Sequence, residues 1–224
     1  LRFEVATEAP TIEVQNCTAT ISAIITGTNS VVKTGTGTLG LATSNDYAGE
    51  TIVEAGTLSL SYGGGIGAVR GTVTVKPGAT LLLSSSGGNS LGYGDGVKVN
   101  VLNVIGGTVN HPMGGDEGWG ITNNLAGATL ASADPNHYTY DYRSQINVLS
   151  ASNATTISGV LAMRANGNVV ITVEDGPADP DLLVSGRIED EWANYTHTKV
   201  GPGSMLLSGT NIGYNLNVNE GTYI

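Results

Sequence analysis

One phrase occurs twice in this sequence. Residues 32–58 read VKTGTGTLGLATSNDYAGETIVEAGTL, and residues 198–224 read TKVGPGSMLLSGTNIGYNLNVNEGTYI. With Lys33 set on Lys199, the aligned pairs are Gly35 and Gly201, Gly37 and Gly203, Leu39 and Met205, Leu41 and Leu207, and Asn45 and Asn211. After one residue is dropped from the second copy, Val53 aligns with Val218, Gly56 with Gly221, and Thr57 with Thr222. The matched positions are mostly turn glycines and alternating apolar residues, so the phrase specifies backbone geometry rather than a reaction.

Short alternating runs fill the rest of the chain. TLSLSY at 57–62, TVTV at 72–75, VKVNVLNV at 97–104 and VVITV at 169–173 are typical, and Gly, Asn, Asp or Pro bounds each run. Alternation of apolar and polar residues predicts strands, and helical periodicity is almost absent. The glycine-rich stretch SYGGGIGAV at 61–69 is interpreted as corner turns, because a phosphate-binding loop requires a following helix and a lysine-serine ending.

Strands that turn and run again in this way predict coils of a β-solenoid, with parallel pairing between coils. At roughly 20 to 25 residues per coil the chain would form about nine to eleven coils. Coils spaced at about 4.8 Å would then give a rod on the order of 45 to 50 Å long. We therefore predict an all-β chain with little or no helix, organised as a single β-solenoid domain over residues 1–224 that contains the repeat-like units 32–58 and 198–224.

The first copy of the phrase resembles the autotransporter-associated β-strand repeat of bacterial surface proteins. The residues that fill this pattern are Lys33, Gly35, Gly37, Leu39, Leu41, Asn45, Tyr47, Gly49, Thr51, Val53, Gly56 and Leu58. The second copy departs from it at Gly213, where Tyr is usual. The resemblance implies a right-handed parallel β-helix that forms a long secreted or surface-displayed stalk.

Composition limits the partners of the chain. Nine Lys and Arg against 19 Asp and Glu give a net charge of -10. Nucleic acid binding requires clustered cations that displace phosphate counterions, so this class is disfavoured, as are anionic membrane surfaces. No run of 18 apolar residues is present, so we expect no membrane insertion. The chain begins without Met, so we expect a mature product or a fragment.

A single cysteine, Cys17, excludes an internal disulfide framework. It is interpreted as a small buried apolar residue, and the alternative is a free thiol that bridges two chains.

Metal sites are not expected. The histidines His111, His137 and His197 are far apart in sequence, lack a second ligand at metal spacing, and are interpreted as loop residues. The acidic stretch VEDGPADPDLLV carries Glu174, Asp175, Asp179 and Asp181. It lacks the spacing of calcium loops, so a solvated turn is favoured over a calcium site.

A carbohydrate-active enzyme is the alternative function, since many polysaccharide lyases and hydrolases are β-helices. Asp116 and Glu117, with Trp119 beside them, are the best candidates for a sugar-facing patch. Adjacent strand residues point to opposite faces, however, so the two carboxyl groups would make a poor catalytic pair. We therefore assign no catalytic residues, no cofactor and no metal.

The stretch HYTYDY at 137–142 is expected to be a protruding loop that packs on the wall of the solenoid, or a contact surface for a partner. Neither end of the sequence contains an evident cap, and uncapped strand edges recruit further strands. The expected function is a secreted or surface-displayed structural stalk or fibre segment, with adhesion assigned to loops. The expected partners are head-to-tail copies or adjoining coils, and surface glycans are a further candidate.

Overall fold

A computed structural model describes residues 2–3, 8–94, 96–112, 116–118, 120–132, 138–141, 145–163, 169–190, 196–212 and 215–224. Within these ranges every regular element is a strand, and no helix is present. In chain order the strands are β1 (Arg2–Phe3), β2 (Thr11–Glu13), β3 (Thr18–Ile21), β4 (Thr26–Gly27), β5 (Val31–Thr34), β6 (Thr38–Leu41), β7 (Thr51–Val53), β8 (Thr57–Leu60), β9 (Gly71–Val75), β10 (Thr80–Leu83), β11 (Val99–Ile105), β12 (Thr108–His111), β13 (Glu117–Gly118), β14 (Thr122–Ala126), β15 (Thr129–Ser132), β16 (Tyr138–Asp141), β17 (Gln145–Val148), β18 (Thr155–Ile157), β19 (Val160–Met163), β20 (Val170–Val173), β21 (Leu182–Val184), β22 (Arg187–Asp190), β23 (Thr196–Val200), β24 (Ser204–Leu207), β25 (Asn211–Ile212), β26 (Asn215–Val218) and β27 (Thr222–Tyr223).

Two long parallel sheets run the length of the described chain. One has the order β2-β5-β7-β9-β11-β14-β17-β20-β23-β26, and the other has the order β3-β6-β8-β10-β12-β15-β18-β21-β24-β27. Except at the two ends of each sheet, every strand pairs in parallel with the strand one coil before it and the strand one coil after it. Thr57, for example, is the register partner of Thr38 and of Thr80. Because the chain returns to the same sheet at every coil, the predicted all-β parallel β-solenoid is confirmed. Its right hand stays a prediction from the resemblance.

A third parallel sheet closes the side of the later coils. Its order is β13-β16-β19-β22-β25, while β1 and β4 form a separate pair near the start of the chain. The segment between β10 and β11 contributes a glycine-rich loop, residues 84–94, in place of a strand of this sheet.

Stacked inward rows of aliphatic side chains form the core. One row in the first long sheet is Val53, Val75, Val104, Leu125 and Val148, which are successive register partners. A row in the second long sheet is Leu39, Leu58, Leu81, Val109 and Leu130. All ten side chains are buried. Burial of each of these side chains stabilises the fold by about 1.5–3 kcal/mol relative to an exposed side chain. The apolar positions of the alternating runs therefore supply the main favourable free energy of folding.

Cys17 lies in the turn between β2 and β3 and is exposed. The prediction of a buried residue is wrong here. The turn places this side chain outside the rows that the strands bury, so a small apolar side chain is left in solvent.

Candidate functional site: the repeat corners

Lys33 points into the solenoid, although lysine is almost never fully buried without partners. Its side chain is 1% exposed, and Nζ donates to the carbonyl oxygens of Thr34 at 2.7 Å, Gly35 at 2.8 Å and Ala55 at 3.0 Å. Three acceptors match the three hydrogens of an ammonium group. Burial lowers the pKa of Lys33 because it penalises the charged form. Ala55 belongs to the next coil, so the ammonium group joins two coils.

Lys199 repeats this arrangement in the second copy. It is fully buried, and Nζ donates to the carbonyl oxygens of Gly201 at 2.9 Å and Glu220 at 2.8 Å. The Glu220 carboxylate accepts a hydrogen bond from the Gly201 amide. Burial lowers the pKa of Lys199, and the negative charges of Glu220 and Asp181 oppose that shift. The two copies of the phrase therefore build the same contact between coils.

Glycine is required at the turn that follows each lysine. Gly35 has φ of 77° and Gly201 has φ of 84°, a left-handed backbone that side chains disfavour. A Cβ atom at Gly35 would overlap the carbonyl group of Val14, and one at Gly201 would overlap that of Val173. The close approach of the preceding coil explains why both copies keep these glycines.

Asn45 connects three coils. Its buried side-chain oxygen accepts from the Ile25 amide at 2.9 Å, and Nδ2 donates to the carbonyl oxygens of Thr43 at 3.0 Å and Ala68 at 2.9 Å. Ile25 lies in the preceding coil and Ala68 in the following one. This residue satisfies backbone groups that a strand would otherwise pair.

Tyr47, Gly49 and Thr51 complete the unit. The buried hydroxyl of Tyr47 is hydrogen-bonded to Thr51 Oγ1. Burial raises the pKa of Tyr47 to about 12, against a smaller lowering by this hydrogen bond. A Cβ atom at Gly49 would overlap the backbone of Asn29 and Ser30. The motif residues thus fit one coil against the preceding one.

A ladder of polar side chains follows the first long sheet. Asn147 donates to Asn124 at 2.9 Å, Asn124 to Asn103 at 2.9 Å, and Asn103 to Thr74 at 3.0 Å, while Thr74 donates to Glu50. Sequence reasoning missed this ladder and the inward lysines. The signal for the ladder was the recurrence of Asn at positions that differ by one coil.

Glu117 faces the interior instead of a sugar-binding groove. It is fully buried, and its carboxyl group contacts Ser90 on the loop 84–94. Asp116 precedes it and is half-buried. The structure therefore does not bring the Asp116 and Glu117 side chains together as an exposed pair, and Trp119 lies outside the described residues.

The acidic stretch is only partly a solvated turn. Glu174, Asp175 and Asp179 are exposed, whereas Asp181 is buried. The Asp181 carboxylate accepts from the Gly176 amide at 2.9 Å and the Ser204 amide at 2.8 Å. The expectation of a solvated turn is wrong for Asp181, because its oxygens cap backbone amides.

Two of the three histidines are strand residues. His111 ends β12, His197 lies in β23, and both are buried, so the interpretation as loop residues is wrong for them. His197 Nδ1 accepts from the Val169 amide at 3.1 Å. An accepting Nδ1 carries no proton, so a neutral His197 holds its proton on Nε2. His137 lies outside the described residues.

The stretch HYTYDY also differs from its prediction. Tyr138–Asp141 forms β16 in the third sheet, so the interpretation of these residues as a protruding loop is wrong. The alternative, a contact surface for a partner, stays a prediction, and residues 137 and 142 lie outside the described residues. Among the described residues, no three His, Cys, Asp or Glu side chains are grouped so that they could hold a metal ion. The same residues include no helix long and apolar enough to cross a membrane.

Stacked coils, joined at a buried lysine in each copy of the phrase, define a parallel β-solenoid. Residues 31–60 match the family model described as passenger-associated-transport-repeat. The prediction of an autotransporter-associated repeat is thereby confirmed, and the matched segment contains every motif residue from Lys33 to Leu58.

A curated relative extends the similarity beyond the repeat. The chain is 28% identical over 220 residues to the Adhesin BmaC autotransporter of Brucella suis biovar 1 (strain 1330). The alignment covers 91% of this chain and 6% of that protein, so the chain spans a small part of its relative's length. No solved structure matches the chain.

Proposed function

We propose that the chain is a structural segment of a secreted or surface-displayed β-solenoid stalk or fibre. The observation that carries this proposal is that the side chains of Lys33, Asn45 and Lys199 donate hydrogen bonds to backbone carbonyl oxygens of the next coil. Such residues build a rod and leave recognition to loops outside the repeat. The similarity to part of an autotransporter adhesin supports a surface location and adhesion through those loops.

The partner that we propose for the last strands is a further β-solenoid coil, supplied by adjoining sequence or by a second copy of the chain, head to tail. Val218 is the register partner of the inward Lys199, yet it is 40% exposed because no described coil covers it. Tyr223 and Ile224 are also exposed. The edge of β26 and β27 thus offers backbone groups and apolar side chains to another coil.

Light scattering of the purified chain at rising concentration tests head-to-tail contact. The expected mass rises with concentration for the native sequence, and Val218→Lys abolishes the rise because it places a charge in the apolar contact. Val170→Lys is the matched control, since Val170 is also 40% exposed but lies in β20 between two paired strands. A constant mass for the native chain, or equal losses in both variants, contradicts self-association.

Electron microscopy and a sugar-release assay test the structural role itself. We expect rods or fibres one coil stack wide, and no reducing sugar released from polysaccharides. The inward position of Glu117 supports a role without hydrolysis, which requires two carboxyl groups across a substrate groove. Monodisperse rods that release reducing sugar would favour a carbohydrate-active enzyme instead.

A further inference from the structure

A row of threonines runs along the outer face of the second long sheet. Each is the register partner of the next over seven successive coils, and the row consists of Thr18, Thr38, Thr57, Thr80, Thr108, Thr129 and Thr156. All seven side chains are exposed or half-buried. From the second coil onward, the residue that follows each threonine is a buried aliphatic residue of the core. Since successive strand residues point to opposite faces, the row points away from the core.

The backbone holds this row at a fixed spacing. The Thr57 amide donates to the Gly37 carbonyl oxygen at 3.2 Å, and the Thr80 amide donates to the Gly56 carbonyl oxygen at 2.9 Å. Paired strands lie about 4.8 Å apart, so the threonines repeat at that distance along the solenoid. A β-branched side chain has few rotamers, which makes the row a rigid surface.

Outward leucines continue the row in the last coils. Leu183 is the register partner of Thr156 and of Leu206, and both leucines are half-buried. Leu82 is a further outward leucine of this face and is also half-buried. Covering these side chains with a second surface would remove apolar area from water. The face thus combines hydroxyl and methyl groups in the earlier coils with leucines in the later ones.

The same face carries no charge. The ten strands of the second long sheet contain no Lys, Arg, Asp or Glu. The chain as a whole has a net charge of -10, so two copies repel each other where acidic surfaces meet. Contact through these strands keeps the acidic side chains out of the interface.

The area of the face is sufficient for a dimer. Ten strands about 4.8 Å apart, each about four residues long at about 3.3 Å per residue, cover roughly 600 Å². Two such faces together bury about 1,200 Å², which lies within the range of specific interfaces. A partner must repeat at the strand spacing to match every position of the row, and a second copy of the chain has this repeat.

We propose that the second long sheets of two copies pack face to face, so that two solenoids lie side by side and point in the same direction. A twofold axis along the solenoids then sets each coil against the same coil of the other copy. Threonines face threonine-bearing coils, and Leu183 and Leu206 face leucine-bearing coils, whereas the opposite direction would set leucines against threonines. This contact is lateral and goes beyond the head-to-tail contact proposed above, because it leaves the edge of β26 and β27 free.

Light scattering of the Val218→Lys chain separates the two contacts. This substitution blocks the head-to-tail contact and lies in β26 of the first long sheet, outside the lateral face. With a reductant present to exclude disulfides through Cys17, we expect a mass of twice the 22.8 kDa of one chain, constant with concentration. The mass of a single chain overturns the lateral contact and leaves the head-to-tail contact unaffected.

A charge in the row tests which face pairs. Thr80→Lys, added to Val218→Lys, should halve the mass because it sets a lysine against the lysine of the same coil. Thr122→Lys is the matched control, since Thr122 is also half-buried but lies in β14 between two paired strands of the first long sheet. Circular dichroism checks that both variants fold. Equal masses of the two variants contradict the proposal.

A mixing experiment tests the direction of the two solenoids. Equal amounts of the Thr80→Lys chain and a Thr80→Glu chain, both carrying Val218→Lys, should recover the mass of two chains, because opposite charges then meet in the same coil. A mixture that keeps the mass of single chains overturns the pairing of each coil with the same coil of the other copy.

Discussion

Lys33 and Ala55 lie in successive coils, and the Lys33 ammonium group donates a 3.0 Å hydrogen bond to the Ala55 carbonyl oxygen. The same ammonium group holds the turn of its own coil through Gly35. One side chain therefore fixes both the shape of a corner and the position of the next coil on it. Lys199 does the same through Gly201 and Glu220.

Replacement of Lys33 by Met should destabilise the solenoid. The change keeps an apolar stem but removes three hydrogen bonds inside a buried corner, and unsatisfied buried acceptors cost about 1–3 kcal/mol. Chemical denaturation gives the free energy of unfolding. Lys76→Met is the control. Lys76 directly follows Val75, the last residue of β9 and the register partner of Val53, and its side chain is exposed. Equal stability of the two variants contradicts a role for the Lys33 ammonium group.

Asn45→Asp should distinguish the acceptor role of the Asn45 side chain from its donor role. The Asp side chain keeps an acceptor for the Ile25 amide but brings a charge against the carbonyl oxygens of Thr43 and Ala68. We expect a loss of about 1–3 kcal/mol at neutral pH that partly recovers on acidification, when the carboxyl group can donate. Asn153→Asp, at an exposed position, should change stability little. A loss that does not depend on pH argues against the donor role of Asn45.

Gly49→Ala should be costly although alanine adds only one methyl group. That group would overlap the backbone of Asn29 and Ser30 in the preceding coil, and overpacking of this kind costs about 1–3 kcal/mol. Gly87→Ala is the matched change, because a Cβ atom there meets nothing within 4 Å. Thermal unfolding of the two variants gives the comparison. A Gly49→Ala chain as stable as Gly87→Ala would show that the coils are farther apart at this point.

Asn124→Ala should weaken the polar ladder in its middle. Asn124 donates to Asn103 and accepts from Asn147, so the variant loses two half-buried hydrogen bonds. At about 0.5–1.5 kcal/mol for each bond, the free energy of unfolding should fall by roughly 1–3 kcal/mol. NMR chemical shifts of the side-chain amide protons of Asn103 and Asn147, compared between the native chain and the variant, report on these hydrogen bonds in solution. Unchanged shifts at both residues contradict the ladder.

The fold was predictable because its main signals are local. Alternation identified the strands, and the glycines of the phrase identified corners such as Gly35 and Gly201, where φ is positive. The match of Val53 with Val218 was also predictable from the alignment of the two copies, and the structure makes each valine the register partner of a repeat lysine. These features depend on the period of the strand and on the size of glycine.

The polar interior was not predictable by the same reasoning. Lysine, asparagine and glutamate are usually exposed, so composition argues against buried positions for Lys33, Asn45 and Glu117. Their partners lie one coil away, as Ala68 and Ser90 do, and are recognised only after the coils are set in register. The prediction for Cys17 was wrong in the opposite direction: a residue type that is usually buried is exposed here, because no other part of the described chain covers its turn.

Lysine labelling tests most directly whether the repeat lysines face the space between coils. The chain contains Lys33, Lys76, Lys98 and Lys199, and an amine-reactive reagent followed by mass spectrometry reports each one separately. We expect Lys76 to be modified quickly in the native chain, and Lys33 and Lys199 to react only after unfolding, since both are buried and hydrogen-bonded. Native-state modification of Lys33 and Lys199 at the rate of Lys76 would contradict the corner that both copies of the phrase build.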